Sequence, residues 1–343
     1  MFQKYLEKRF SKPEISVGLD IGSHSVKVVE IKKDKDSYVF RGLGFSTVNG
    51  NQPRDFTDAI KKACEEARIS TKKVNASVFS QGTIIRYLLL PFMSREELNR
   101  AMNFEIERYI PFGKEEVASD YQVLREDAGK KNMQILLVAT KKKVIEERVK
   151  IIEDAGLDPQ VVTIDSLILK NVFGVNYPEK KDTTVGLLNL GTKITNINIV
   201  RDNFSYFMRD IQLGGENITH LIKEKLDIPD LEAERLKQEP SEKEDEIFKA
   251  IEPILGNLLN EIYLSFDYYE SEFGMAVDEV FVSGGTAQLK KLVSFLSDNL
   301  GREVNTLDVI KNFSFDRNVS QERLKSMSIC LAVATGLALE AFN

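Results

Sequence analysis

Between Val17 and Ile31 the chain reads VGLDIGSHSVKVVEI, which places Asp20, Gly22, Ser23, Ser25 and Lys27 at the joint between two alternating apolar runs. A hairpin turn needs little more than Asn-Gly or Asp-Gly. A carboxylate, a glycine, two hydroxyls and an ammonium within one turn suit a phosphate and its metal. Phosphate needs closely approaching backbone amides, small residues that permit the approach, and a counter-ion. Three further glycine turns repeat part of this chemistry. Gly191 stands beside Thr192 in NLGTKIT, and Gly214-Gly215 precedes a helical pattern from Glu216 to Leu226 whose first amides could face an anion. Gly284-Gly285-Thr286 lies between a strand pattern and a helical one. No G-x-x-x-x-G-K-[ST] run occurs, and GLGFST fails the dinucleotide fingerprint at its last glycine, so a nucleotide fold here is neither P-loop nor Rossmann.

These turns need strands and helices to hold them. The spacing predicts three strands, Ser16 to Gly22, Val26 to Lys32 and Tyr38 to Val48, then a helix from about Phe56 to Ala67. NASVF and TIIRYLLLP read as strands. SREELNRAMNFEIERYIPF opens on a capping box, Ser94 with Glu97, and Pro111 stops it. Its Leu98, Ala101, Met102, Ile106 and Tyr109 form one apolar stripe. VASDYQVL and MQILLVAT follow as strands, then a helix, KKVIEERVKIIEDAG, closed by Gly156.

The second half begins again with three strands in TTVGLLNLGTKITNINIVRDNFSYFMRDIQLGG. Setting DIGSHSVKVVEI beside NLGTKITNINIV aligns Gly22 with Gly191, Ser23 with Thr192 and Asp20 with Asn189. Such a repeat implies duplicated α/β lobes facing a shared cleft. Helices then dominate: ENITHLIKEKL, DLEAERLKQE and a long one from about Glu242 to Glu272, before the strand EVFVS and the helix KKLVSFLSDNLG.

Composition narrows the function classes. A chain of 343 residues with 42% hydrophobic and 29% charged residues reads as soluble, globular and built of more than one domain. A net charge of -6 gives no electrostatic reason to expect a nucleic-acid partner. Cys64 and Cys330 form no metal or redox motif and fit buried thiols in a reducing compartment. With only His24 and His220, a histidine-rich metal site is excluded. No run is long and apolar enough to span a membrane. The first residues, MFQKYLEKRFSKPE, lack the apolar stretch of a signal peptide, though Phe2, Tyr5, Leu6 and Phe10 could line a short basic amphipathic helix.

The motifs together resemble the actin-like ATPases. DIGSHSVK is similar to their first phosphate motif, NLGTKIT to the second, and VFVSGGTAQL to the adenosine motif. AERLK resembles the helix that lies against the nucleoside, and QLGGENITHLI the matching stretch of FtsA-type proteins. Within that superfamily, SREELNRAMNFEIERYIPF followed by VASDYQVL resembles the PilM family of type IV pilus assembly proteins. The resemblance runs from about Val17 to Leu339.

It implies an α/β, actin-like (ribonuclease H-like) two-lobed fold with mixed sheets and an inserted small α/β subdomain. The first lobe would comprise 14–75 and 156–182, the insertion 76–155, and the second lobe 183–343. It implies ATP and Mg²⁺ as cofactors, with Asp20 holding the metal, Ser23 and Ser25 contacting phosphate, and Lys27 neutralising its charge. Gly191 and Thr192 would close from the other lobe, with Gly214 and Gly215 beside them. Glu234 and Lys237 would border the nucleoside, and Gly284, Gly285 and Thr286 would line the same pocket. The partner would be the cytoplasmic N-terminal tail of a PilN-like inner-membrane protein, held against a groove wall of Leu98, Met102, Ile106 and Tyr109. Other pilus platform or motor proteins are further partners of such a family. The chain would then be cytoplasmic and peripheral at the inner membrane.

One departure bears on catalysis. The family's second phosphate motif usually carries Asp where this chain has Asn189, which supplies no negative charge and is a poor general base. ATP binding with slow or no hydrolysis is the expectation, and no catalytic residue is assigned. Two alternatives use the same superfamily. A sugar-type kinase would need a carboxylate base, for which Asp165 and Asp210 are available but lie in no recognisable kinase motif. An FtsA-like division protein would end in an amphipathic membrane-binding tail, whereas this sequence ends GLALEAFN.

Overall fold

The computed structural model describes residues 13–35, 37–78, 83–127 and 131–342. The leader segment with Phe2, Tyr5, Leu6 and Phe10 lies outside them. The chain opens with β1 (Ile15–Ile21), β2 (Ser25–Asp34), β3 (Ser37–Thr47), α1 (Pro53–Ala67) and β4 (Lys73–Val78). An insertion follows: β5 (Thr83–Pro91), α2 (Arg95–Tyr109), β6 (Val117–Asp127) and β7 (Asn132–Lys141). The chain returns through α3 (Lys142–Asp154), β8 (Asp158–Ile164) and α4 (Asp165–Asn176). The second half comprises β9 (Val185–Leu190), β10 (Thr195–Arg201), β11 (Phe204–Ile211), α5 (Gly215–Leu226), α6 (Asp230–Gln238) and the long α7 (Glu244–Phe273). It ends with β12 (Glu279–Ser283), α8 (Leu292–Leu300), β13 (Glu303–Thr306), β14 (Phe313–Phe315), α9 (Gln321–Met327) and α10 (Ala332–Glu340).

The two main sheets have one topology. The first runs β14-β3-β2-β1-β4-β8 and the second β11-β10-β9-β12-β13. In each, three strands pair antiparallel and two more add parallel to the first of them. The duplication read from the glycine motifs is therefore a duplication of the sheets. Parallel strands buried on both faces carry near-continuous apolar runs, as in ISVGLDI of β1 and EVFVS of β12.

The C-terminal part departs from the expected boundary. Residues 183–343 do not all belong to the second lobe: β14 adds to β3 of the first sheet, and α10 packs on β1, β4 and α4. The reason is close backbone contact. A Cβ on Gly18 of β1 would lie 1.9 Å from the Ala334 carbonyl oxygen of α10, so only glycine admits the helix there. Helix α10, AVATGLALE, is apolar on all sides up to Glu340 and buried from Ala332 to Leu339, as a core helix must be. Helix α4 joins the lobes, its Ile168, Leu169, Val172 and Phe173 sharing a core with Val29, Phe40, Val185 and Phe281 of the two sheets.

The insertion is a three-stranded antiparallel sheet, β5-β7-β6, with α2 on one face. The capping box is present: Ser94 Oγ accepts from the Glu97 amide at 3.3 Å, and Glu97 Oε2 accepts from the Ser94 amide at 2.9 Å. Alternation along β7 sends Met133, Ile135, Leu137 and Ala139 toward α2 and Leu136 and Val138 toward β8, α3 and α4. The expected groove wall turns out to be this core. Leu98 and Met102 are 1% exposed and Ile106 7%, and Tyr109 packs beside them. A helix on a small sheet must bury one stripe, and that stripe is this one.

Candidate functional site

Two turns of the same construction close equivalent strand pairs of the two main sheets. Gly22 N donates to the Ser25 carbonyl at 3.1 Å, and Gly191 N donates to the Ile194 carbonyl at 3.0 Å. Each closes the end of a first strand against a second, leaving Ser23–His24 and Thr192–Lys193 at the two apices. Register then fixes the flanking side chains. Asp20 pairs with Lys27 across β1 and β2, and Asn189 with Asn196 across β9 and β10. Lys27 Nζ lies 3.1 Å from Asp20 Oδ2, and Asn189 Nδ2 donates to Asn196 Oδ1 at 3.0 Å. Ser25 is buried within its turn, whereas Ser23 is partly accessible.

The second-lobe turns form one hydrogen-bonded unit. The amides of Gly215 and Glu216 donate to the carbonyls of Gly191 at 3.0 Å and Thr192 at 2.7 Å, and Thr286 Oγ1 donates to Gly191 at 2.8 Å. The Gly214 amide is taken by Asn217 Oδ1 at 2.9 Å. The start of α5 thus spends these three amides on its neighbours rather than holding them out to an anion, a correction to the reading from sequence. Gly214 and Gly215 act by letting the turns touch: a Cβ on Gly214 would lie 2.6 Å from the Gly191 and Thr192 carbonyl oxygens. Gly284 adopts a φ of +92°, which an L side chain rarely tolerates, and its amide donates to Ile329 at 2.7 Å.

Lys237 and Glu234 belong to this unit as well as to each other. Lys237 Nζ donates to Glu234 Oε2 at 2.7 Å, to Thr219 Oγ1 at 2.8 Å and to the Gly215 carbonyl at 3.1 Å. The pair therefore pins α6 to the first turn of α5, beside Gly215 and Thr286. Burial alone would raise the Glu234 carboxyl, but Lys237 and Thr219 hold it below the usual range.

Between the two halves stand groups that the motifs do not contain. Asp165 begins α4 at the end of β8. Burial, reinforced by the charges of Asp20 and Asp210, pushes its carboxyl up to about 7, against a hydrogen bond from Ser77 and the charge of Arg148. The charges of Asp20, on a strand of the first main sheet, and Asp210, on a strand of the second, thus both reach this one carboxyl. Asp210 accepts from Asn196 Nδ2 at 2.8 Å, while its Oδ2 is buried with no hydrogen-bond partner among the described residues. Burial pushes Asp210 up to about 6. Arg148, buried on α3, donates to the Ile21 carbonyl at 3.2 Å, and its charge acts on Asp165 and Asp20.

The structure thus groups Asp20, Gly22, Ser23, Ser25 and Lys27 at the β1–β2 turn. In the second lobe it groups Asn189, Gly191, Thr192, Gly214, Gly215, Glu234, Lys237, Gly284, Gly285 and Thr286. Leu98, Met102, Ile106 and Tyr109 lie in the insertion instead. Sequence reasoning missed Arg148 and Asn196. Arg148 did leave a signal, an arginine on the apolar face of α3 between Ile145 and Ile152.

The donor set fits a nucleotide with a hydrated cation. Among the described residues no group of three or more His, Cys, Asp or Glu could hold a metal ion by itself. Mg²⁺ typically keeps several waters and takes one or two carboxylates plus phosphate oxygens. Asp20, at the end of β1 beside the first turn, and Asp210, one of whose oxygens is buried with no hydrogen-bond partner among the described residues, are carboxylates of that kind.

Residues 18–342 match the family of the type IV pilus assembly protein PilM. The chain belongs to that family. Among solved structures it is similar to a PilM–PilN type IV pilus biogenesis complex, at 24% identity and a TM-score of 0.86, covering 97% of this chain and all of the other. It is also similar to the ethanolamine utilization protein EutJ from Carboxydothermus hydrogenoformans, at 14% identity and a TM-score of 0.55 over 95% and 90% of the chains. MreB 5 of Spiroplasma citri, bound to AMPPNP, matches at 9% identity and a TM-score of 0.52 over 95% of each chain. These likenesses establish the actin-like fold of this PilM-family chain. Among its described residues, no helix is long and apolar enough to cross a membrane.

Proposed function

We propose that this PilM-family chain is an ATP-binding component of the type IV pilus inner-membrane assembly platform, standing on the cytoplasmic side and docking the N-terminal tail of a PilN-like membrane protein. The observation that supports the nucleotide half is the pair of matching turns, Gly22–Ser25 and Gly191–Ile194, at equivalent strand ends of the two main sheets. In this reading Lys27 neutralises phosphate charge, and the turn apices offer hydroxyls and amides. The Lys237–Glu234–Thr219 cluster shapes the nucleoside end. Asp20 holds hydrated Mg²⁺, which when bound would screen the phosphate charge. Asn189 sits where a carboxylate would orient water, so turnover is slow.

Family membership supports the docking half, and the insertion supplies its surface. Because Leu98, Met102 and Ile106 are spent on the insertion's own core, the tail contacts other positions. Strand β5 has β7 as its one sheet partner among the described residues, which leaves an edge that an extended tail can pair with. Leu89 on β5 and Phe92 just beyond it are 70% and 49% exposed. Tyr87 of the same strand stacks on Phe207 of β11, which meets Tyr268 of α7, so this edge adjoins the second lobe.

Calorimetric titration with ATP and Mg²⁺, followed by titration of a PilN-tail peptide, tests both halves. Saturable binding in each is expected. Absence of nucleotide heat would remove the first half, and absence of peptide binding the second.

A further inference from the structure

Arg148 joins the inserted subdomain to the phosphate turn. Strand β7 is the centre of the inserted sheet and runs directly into α3, with Lys141 serving both as its last residue and as the helix N-cap. Arg148 lies seven residues further on, about 10 Å at a helical rise of 1.5 Å per residue. No loop intervenes to absorb movement. The helix is anchored on its buried face by Ile145, which packs with Leu136 and Val138 of the inserted sheet, and by Ile152, which packs with Val17, Leu19 and Ile60 of the first lobe. Between these two anchors the same face delivers a guanidinium to the Ile21 carbonyl, one residue before Gly22.

A buried arginine on an otherwise apolar face is costly unless it is paired. Packing alone would be served by leucine or methionine. What this position gains is a cation that contacts the backbone of the phosphate turn and balances two carboxylates, Asp20 on β1 and Asp165 on α4. These are the carboxylates whose charges would be redistributed when a phosphate–Mg²⁺ pair enters. A strand–helix unit ending in that cation would make different contacts with and without bound phosphate, which is what coupling between sites requires.

We propose that Arg148 is a positioning residue that couples occupancy of the nucleotide site to the inserted subdomain, by holding the Ile21–Gly22 turn, Asp20 and Asp165 in register with strand β7. This rests on the nucleotide reading above and goes beyond it. Its consequence is reciprocal: whatever engages the inserted sheet alters the affinity for nucleotide, and nucleotide alters the insertion by the same factor.

The test is hydrogen–deuterium exchange of the full chain, with and without Mg²⁺–ATP, in the unsubstituted protein and in Arg148→Met, Arg148→Gln and Arg148→Lys. Nucleotide binding is measured separately by calorimetry. In the unsubstituted protein Mg²⁺–ATP is expected to change exchange in β7 and α3 as well as in the phosphate turns. Arg148→Met and Arg148→Gln should still take up ATP, weakened by about tenfold through the lost charge-assisted contact. Their β7 should no longer respond. Arg148→Lys, which keeps the charge on a different geometry, should restore part of the response, an outcome that simple loss of packing would not give. The Gln variant carries the comparison should the Met variant fail to fold. An unsubstituted protein that binds ATP without any change in β7 overturns the proposal, as do neutral variants that transmit the change undiminished. Failure of the unsubstituted protein to bind ATP would instead register in the calorimeter, and would overturn the nucleotide reading and the coupling together.

Discussion

Asn189 Nδ2 donates to Asn196 Oδ1 at 3.0 Å, in the register position where the other lobe places Lys27 Nζ 3.1 Å from Asp20 Oδ2. One lobe carries an ion pair and the other an amide pair, on duplicated strands. The amide pair continues to Asp210, which Asn196 also serves. The second lobe therefore has a carboxylate one step removed from the position where the superfamily places one.

Asn189→Asp should restore a charge at the strand end itself. Loss of such a base or water-orienting group typically costs about 10²–10⁴ in rate. The substitution is expected to raise single-turnover hydrolysis of Mg²⁺–ATP measurably above a slow starting value. Fast turnover by the unsubstituted protein would contradict the role given to Asn189.

Lys27→Ala removes a charge-assisted phosphate contact, worth about 1.5–3 kcal/mol. ATP affinity should fall about ten- to hundredfold. Asp20, only 8% exposed, would also lose its ion pair, so a lower melting temperature without nucleotide is expected as well. Calorimetry on the folded variant decides it, and an unchanged dissociation constant would remove Lys27 from the phosphate site.

Much of this site was legible because its parts are local. A glycine and a hydroxyl at the end of an alternating run signal a turn that approaches phosphate, and β1–β2 and β9–β10 carry that signal within a dozen residues each. Arg148 and Asp165 were harder because what matters about them is non-local. The sequence places Arg148 127 residues from the Ile21 carbonyl that it meets. Strand β8 and helix α4 read as one apolar stretch, VVTIDSLILKNVF, in which Asp165 looks like an interruption rather than a boundary. The stripe of α2 was read correctly as apolar and on one face. Periodicity reports that a face is buried and says nothing about whether its own sheet or a partner buries it. The return of β14 to the first sheet was illegible for the same reason, since a three-residue strand has no period to read.

Asp210 gives a pH signature. Burial pushes its carboxyl up to about 6, against an ordinary value near ~3.9 in an unfolded chain. Between those values the folded protein holds a proton that the unfolded chain has released, so stability falls as pH rises through this window. Above it the fold carries the full cost of the buried charge. Asp210→Asn keeps an acceptor for Asn196 and removes that charge. It should stabilise the nucleotide-free protein at pH 8 by on the order of 2 kcal/mol, and by less at pH 5. Thermal melts at the two pH values measure the difference, and an equal gain at both would show that the charge is not the cause.

The insertion separates structural from docking positions. Met102 is 1% exposed against Met133, Ile135 and Leu137, so Met102→Ala should cost about 2–5 kcal/mol through the cavity that it leaves. Any loss of tail binding in that variant should track loss of fold. Leu89 is 70% exposed on an edge strand, and Leu89→Glu should leave the melting temperature within about 1 °C, since an exposed substitution shifts stability by at most about 0.5 kcal/mol. A tail that lays apolar side chains beside β5 would then meet a charge without a partner, and burial of such a charge is costly. Leu89→Glu should weaken a PilN-tail peptide by at least about tenfold, equivalent to 1.4 kcal/mol, while ATP affinity stays as it was. Fluorescence anisotropy with a labelled peptide measures this directly. Normal peptide affinity in a folded Leu89→Glu protein would move the docking surface away from the β5 edge.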